Sequence, residues 1–185
     1  MEYPVTPAIR VLRAKKVKFE PHLFAYQEHG GTSHSAQMLA VDEHAVVKTL
    51  VFETDAGKPL IVLMHGDCQV STKSLARTLK VKSVQPCARE RAQKLTGYMV
   101  GGTSPFGTKT RMPVYGEQTI FDLPLVYING GKRGFLVALE PQVLRELLAA
   151  QAVEVAIKEC CGDVGREDQS PTIFIKCPAT DRNEN

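Results

Sequence analysis

Three short segments hold residue types from which a reactive site can be built. Gly97 to Gly107 reads GYMVGGTSPFG, a small, polar loop between two apolar stretches. Gly101 and Gly102 carry no Cβ and can reach positive φ, so their N–H groups can face an anion or a developing oxyanion. The same composition also serves an ordinary turn or bulge. Val46 to Thr54 reads VVKTLVFET, an apolar strand pattern broken by Lys48. Side chains alternate along a strand, so Lys48 shares a face with Val46, Leu50 and Phe52, while Val47, Thr49 and Val51 take the other. An unpartnered buried ammonium costs on the order of several kcal/mol, so Lys48 needs a carboxylate, a bound anion or a wet cleft. An edge-strand lysine that blocks aggregation is the plainer alternative. Tyr127 to Leu139 reads YINGGKRGFLVAL. Its Asn129, Gly130 and Gly131 predict a tight turn between two strands, with Lys132 and Arg133 at the tip or base.

Other chemistries find less support. The five histidines, His22, His29, His34, His44 and His65, include no HExxH and no pattern that sets two metal ligands on one helical face. A zinc site is not expected. Serines and cysteines form no nucleophile elbow, and Cys68 after the turn-like Gly66-Asp67 reads as a small structural residue. Asp67 with Lys73 reads equally as a polar patch or a helix start.

The elements that must position these segments alternate between helix and strand. Thr6 and Pro7 predict a helix cap and first turn, with the helix running through about Lys16. Phe19 to Tyr26 reads as extended, and Thr32 or Ser33 is expected to cap a short helix through Leu39. The Lys48 strand turns at Asp55-Ala56-Gly57-Lys58 into PLIVLMHG, and these two strands should be central. Ser71 predicts a helix cap with the helix running through Lys80. A second helix is expected from about Pro86 to Leu95, stopped by Gly97. Strands near Leu125–Asn129 and Gly134–Leu139, a helix from Pro141 to Ala150 and a short strand near Glu154 follow. The mixture predicts an α+β domain with a mixed sheet and helices outside.

Taken together and in this order, VVKTLVF, GYMVGGTSPFG and INGGKRG resemble the YbaK/ProX family of aminoacyl-tRNA deacylases, most closely its YbaK branch. The likeness covers roughly residues 5 to 155. It implies a single domain over 1–157 with a strongly curved, barrel-like mixed sheet surrounded by helices. It also implies a trans-editing ester hydrolase that discharges mischarged transfer RNA, in this branch cysteine on proline-specific transfer RNA, with no cofactor or metal. Residue by residue, Lys48 falls on the family's essential lysine, Thr49 follows it, and Gly101 and Gly102 match the pair whose backbone holds the carbonyl oxygen. Tyr26 matches an aromatic pocket residue. Asn129 stands where relatives often have serine, and Thr103 and Gly130 complete the implied substrate contacts. Leu136 stands where some relatives are acidic, so no pocket carboxylate is assigned there. The branch also suggests that the substrate's own thiol attacks its ester to release a thiolactone. Lys48 would hold the terminal phosphate or ribose, or orient the ester; the sequence leaves these roles open.

Composition bounds the reading. The chain has 185 residues, 43% of them hydrophobic, enough for one sizeable core. It shows no apolar run long enough to span a bilayer and no secretory leader, so the cytoplasm is the expected compartment. Five cysteines, including the adjacent Cys160 and Cys161, suit reduced thiols better than a disulfide frame. Net charge is only +3, mild for a nucleic-acid binder. Basic residues nevertheless cluster at Lys109 and Arg111 and at Lys132 and Arg133, pairs expected to flank one cleft and grip transfer RNA phosphates. No DNA or membrane partner is expected. A prolyl-tRNA synthetase is the implied protein partner. Two further function classes stay open: a noncatalytic module that binds an acceptor end or nucleotide, and an adaptor for that synthetase. Residues 158–185, rich in Gly, Pro and charge with one apolar run at Thr172–Lys176, read as a flexible tail.

Overall fold

The computed structural model describes residues 2–158; the expected tail, with Cys160 and Cys161, lies almost wholly outside the described residues. The chain opens with α1 (Pro7–Ala14). Thr6 caps it as expected, its Oγ1 accepting from Ile9 N at 3.2 Å, and Ala8, Ile9 and Leu12 are fully buried. A short strand β1 (Glu20–Leu23) and helix α2 (Gly31–Leu39) follow. Thr32 and Ser33 do not cap α2, which starts at Gly31 without a side-chain cap. The Thr32 hydroxyl donates to Glu43 Oε1 at 2.8 Å and contacts Gly66 O at 3.1 Å, so it is engaged in tertiary bonds.

The centre of the molecule is a hairpin of β2 (Val46–Thr54) and β3 (Pro59–His65). β3 reads as a near-continuous apolar run because both its faces are covered. Ile61 and Leu63 join one core cluster with α1, and Leu60, Val62 and Met64 join another. β4 (Cys68–Val70) continues after a two-residue turn. Helix α3 (Thr72–Leu79) begins at the expected cap, with Ser71 Oγ accepting from Ser74 N at 3.2 Å.

The predicted helix from Pro86 starts later. Val84–Pro86 form a strand, β5, that pairs antiparallel with Phe52–Thr54 of β2, so α4 spans Arg89–Thr96 and ends at Gly97 in the left-handed region. Pairing to β2 overrides the local helix pattern. After the glycine loop come β6 (Val114–Glu117), β7 (Val126–Lys132), β8 (Phe135–Leu139), helix α5 (Gln142–Leu148), β9 (Gln151–Val153) and β10 (Ala156–Lys158). Asn129, Gly130 and Gly131 are not the predicted turn. They lie within β7, where the register against β8 shifts between Asn129 and Lys132, and the chain reverses at Arg133-Gly134.

The main sheet runs β1-β8-β7-β2-β3-β6-β9, with β5 off this path on β2, and β10 pairs with β4. β2–β3 and β7–β8 are antiparallel, and β2–β7, β3–β6 and β6–β9 are parallel. β1 and β9 are the unjoined ends, so the mixed sheet does not close into a barrel. No described helix is long and apolar enough to cross a membrane.

Candidate active site

The site lies where β2 lacks a neighbour. β7 pairs with β2 only at Val46 and Val47, and β5 pairs with it from Phe52 onward, both on the side away from β3. Backbone groups alternate sides along a strand, and Val51 O on this side accepts from Cys87 N at 2.9 Å. The amide and carbonyl of Thr49 therefore face the same side, in the gap between the two partner strands. A cavity of about 700 Å³ opens there. Its wall includes the β2 segment from Val46 to Phe52, the start of α2 at Gly31 and Thr32, Phe24, Val100, Gly101, Asn129, Arg133 and Leu136.

Lys48 lines the cavity, half-buried. Its Nζ donates to Gly66 O at 2.9 Å and to Cys68 O at 2.6 Å, both carbonyls of the β3–β4 turn. An ammonium has three donors, so one N–H is left for a ligand. The cation expected to need a partner thus has two neutral ones, which hold its position without cancelling its charge. Thr49 stands beside it, and its Oγ1 is buried with no hydrogen-bond partner among the described residues.

The glycine loop forms the opposite lip. Gly101 lines the cavity with φ +88° in a turn closed by Gly102 N donating to Met99 O at 2.9 Å. The Gly102 amide, read from the sequence as an oxyanion donor, is therefore committed within the turn. What requires glycine there is close approach: a Cβ on Gly102 would lie 2.9 Å from Arg133 N and 3.0 Å from Lys132 C. The Gly101 amide has no protein partner among the described residues. Asn129 fastens the lip: its Nδ2 donates to Gly101 O at 3.3 Å, and its Oδ1 accepts from Gly131 N at 2.7 Å. Arg133 Nε donates to Val100 O at 3.0 Å, and its guanidinium lies over the Tyr26 ring, 5.1 Å from the centroid. Tyr26, Thr103 and Arg133 all line the cavity.

Four expected contacts fall elsewhere. Gly130 is buried under the Phe135 ring, and its carbonyl accepts from Thr6 Oγ1. Lys132 is exposed at the end of β7, off the cavity wall. Lys109 packs beside Gly97 at the end of α4, and Arg111 lines a separate hollow of about 360 Å³ with Val11, Phe106 and Leu147. The two basic pairs do not flank one cleft, because the loop between Gly102 and Arg111 folds away toward α1: Tyr98 donates to Phe106 O at 2.6 Å, and Phe106 is fully buried. Burial pushes the Tyr98 phenol up to about 12, which keeps it a neutral donor.

Residues with no site role in the sequence reading also shape the wall. Thr32, Cys87 and Arg89 border the cavity. Burial, with Glu53 nearby, pushes the Cys87 thiol up and away from thiolate character. Their signal was long-range: only the pairing of β5 with β2 brings Cys87 to the site. One group of possible metal ligands lies off the cavity wall, where ligand atoms of His44, Asp67 and Cys68 come within 4.8 Å of one another. His44 Nδ1 is hydrogen-bonded to Asp67 Oδ1 at 2.9 Å there, so a cation would have to displace a proton from that nitrogen.

The sequence matches the aminoacyl-tRNA editing domain over residues 29–147, and the chain belongs to that family. Lys48, Gly101, Asn129 and Arg133 all fall inside the matched stretch. Among relatives, the Enterococcus faecalis protein named "Putative Cys-tRNA(Pro)/Cys-tRNA(Cys) deacylase EbsC" is 28% identical over 155 residues, covering 83% of this chain and 94% of that protein. A proline–tRNA ligase from Elusimicrobium minutum is 35% identical over 78 residues, which is 42% of this chain but only 13% of the ligase. A crystal structure described as "a putative trans-editing enzyme for prolyl tRNA synthetase" shares the fold, with TM-score 0.71 and 24% identity over 84% of this chain and 99% of that one.

Proposed function

We propose that this cavity hydrolyses the ester joining an amino acid to transfer RNA, acting in trans on mischarged transfer RNA, and that its substrate is cysteine on proline-specific transfer RNA. The observation that carries the reading is that Lys48, with one ammonium N–H beyond its two carbonyl bonds, and Gly101, whose amide has no partner among the described residues, line a single cavity. A tetrahedral intermediate at an ester places one negative charge on the former carbonyl oxygen, and prepositioned donors stabilise that charge most. Gly101 N–H and the Thr49 amide are donors of this kind. The carrier of the name deacylase among the relatives, and the editing-domain family itself, support the same reaction class.

Among the described residues Ser35 and Cys87 border the cavity, the Cys87 thiol pushed up by burial away from thiolate character, and the reaction needs no protein nucleophile if the substrate thiol acts. The cysteinyl thiol gives up its proton as the sulfur attacks its own carbonyl carbon, the bond to the ribose oxygen breaks, and that oxygen takes up a proton. The immediate products are a thiolactone and uncharged transfer RNA. Water later opens the released thiolactone to free cysteine, which completes the net hydrolysis. The apolar stretch of wall formed by Phe24, Val46 and Leu136 suits an uncharged side chain, with Glu28 the carboxylate among the lining residues. Lys48 then holds the ribose or terminal phosphate of the acceptor end. The likeness of part of a proline–tRNA ligase to this chain supports a substrate produced by such a ligase, with that synthetase as the protein partner.

Discharge of cysteinyl, alanyl and seryl esters on proline-specific transfer RNA tests this reading. Cysteinyl ester should be released fastest, with a thiolactone trapped as product, and the alanyl and seryl esters slower by tenfold or more. Tight binding of all three with no discharge would overturn it in favour of a binding module.

A further inference from the structure

Lys48 is held by a turn, and the turn is itself held by side chains outside the cavity. Gly66 O and Cys68 O, which clamp the ammonium, flank Asp67. The Asp67 carboxylate receives His44 Nδ1 at 2.9 Å on Oδ1 and 3.0 Å on Oδ2. A carboxylate only accepts, so His44 Nδ1 carries the proton. Burial raises Asp67, but the hydrogen bond and charge of His44 outweigh it, and the carboxyl sits below its usual range, ionised near neutral pH.

His44 is fixed in turn by His65. The two rings stack in parallel, centroids 3.6 Å apart and planes 10° apart. His65 is fully buried; its Nδ1 donates to His44 O at 2.6 Å, and Nε2 meets Thr119 Oγ1 at 2.7 Å. Burial lowers the pKa of His65, so a neutral ring lies against His44. From the other side, the Thr32 hydroxyl reaches both Gly66 O and Glu43 Oε1. The Thr32 contact reaches Gly66 O directly, and the His44 contacts hold Asp67 between the two carbonyls that bind Lys48.

From this arrangement we infer that His44 and Asp67 are positioning residues for Lys48: their hydrogen bond sets the β3–β4 turn so that Gly66 O and Cys68 O hold the ammonium at the cavity wall. The inference rests on the proposed deacylase reading for its kinetic consequence, but the clamp itself is independent of any activity. Neither residue lines the cavity.

The experiment compares His44→Asn, His44→Phe and Asp67→Ala in the full chain. Asn places an amide donor near the Nδ1 position, and Phe keeps a ring over His65 without a donor. With cysteinyl-tRNA(Pro), His44→Phe and Asp67→Ala should lower kcat about tenfold with KM within twofold, while His44→Asn stays within threefold of wild type. In a Lys48→Met background, His44→Phe should cause no further loss, since it acts through the absent lysine. A second readout needs no turnover: labelling of Lys48 by trinitrobenzenesulfonate, followed by mass spectrometry against exposed Lys58. The clamp predicts at least fivefold faster labelling of Lys48 in His44→Phe and Asp67→Ala, and near wild-type labelling in His44→Asn. Unchanged Lys48 labelling in both disruptive variants overturns the inference. Faster labelling in a protein that discharges no ester would uphold the clamp and remove the deacylase reading alone.

Discussion

At the scale of single residues, the feature that matters most is a cation held by neutral oxygens. A carboxylate beside Lys48 would cancel its charge, whereas Gly66 O and Cys68 O orient the ammonium and leave its field available to a ligand. Sequence patterning located Lys48 on the correct strand face but could not name its partners, because those lie 18 and 20 residues away in a turn. His65 carries a second consequence. Its folded pKa lies below 6.5 because of burial. The unfolded chain therefore binds a proton that the folded chain resists, and stability falls as pH drops below about 6.5 toward the folded value. The melting temperature should decline between pH 7 and pH 5, and His65→Asn, less stable at pH 7, should show a flatter slope. Equal slopes would mean that His65 is not the group responsible. Asp67 acts in a lower window: its stabilisation is present above its ordinary 3.8 and is lost as pH falls through the depressed folded value.

At the scale of elements, the site is a junction between a loop and a bulged strand. The glycine loop can lie against the β7–β8 turn only because Gly102 has no side chain, and Asn129 then bridges the two segments. Asn129→Ala removes the bridging bond to Gly101 O and the bond that orients the side chain from Gly131 N, and frees Gly101. It should lower kcat about tenfold, since a displacement near 1 Å at a reacting group costs up to about a hundredfold. The melting temperature should stay near that of wild type, because Asn129 is only half-buried. An unchanged kcat would show that the lip does not need fastening. Helix caps at Thr6 and Ser71 and the β2–β3 hairpin were legible in the sequence because each depends on residues close in the chain. The start of α4 and the role of NGG were not. Both are decided by pairing, Val84–Pro86 with β2 and the register shift of β7 against β8, and pairing partners are invisible to local pattern.

At the scale of the whole molecule, the open sheet creates the cavity by leaving β2 uncovered between β7 and β5. The motifs that carried the family resemblance all converge there, and the family match includes them. The basic surface was read less well: of Lys109, Arg111, Lys132 and Arg133, only Arg133 lines the cavity. Net charge of +3 does not by itself select a nucleic-acid partner. Arg133→Ala should therefore raise KM for charged transfer RNA and reduce the dependence of log(kcat/KM) on log salt by about one contact. Arg111→Ala should alter neither by more than twofold. If Arg111→Ala produced the larger change, the acceptor stem would have to approach over the second hollow. The most direct test of the central claim is the single-turnover discharge of cysteinyl-tRNA(Pro) by wild type and by Lys48→Met with matched circular dichroism. Loss of the ammonium that holds the ribose or terminal phosphate, and so orients the reacting ester, predicts a fall of about a hundredfold in the variant. Equal rates in the two proteins would contradict the assignment of this cavity as the active site.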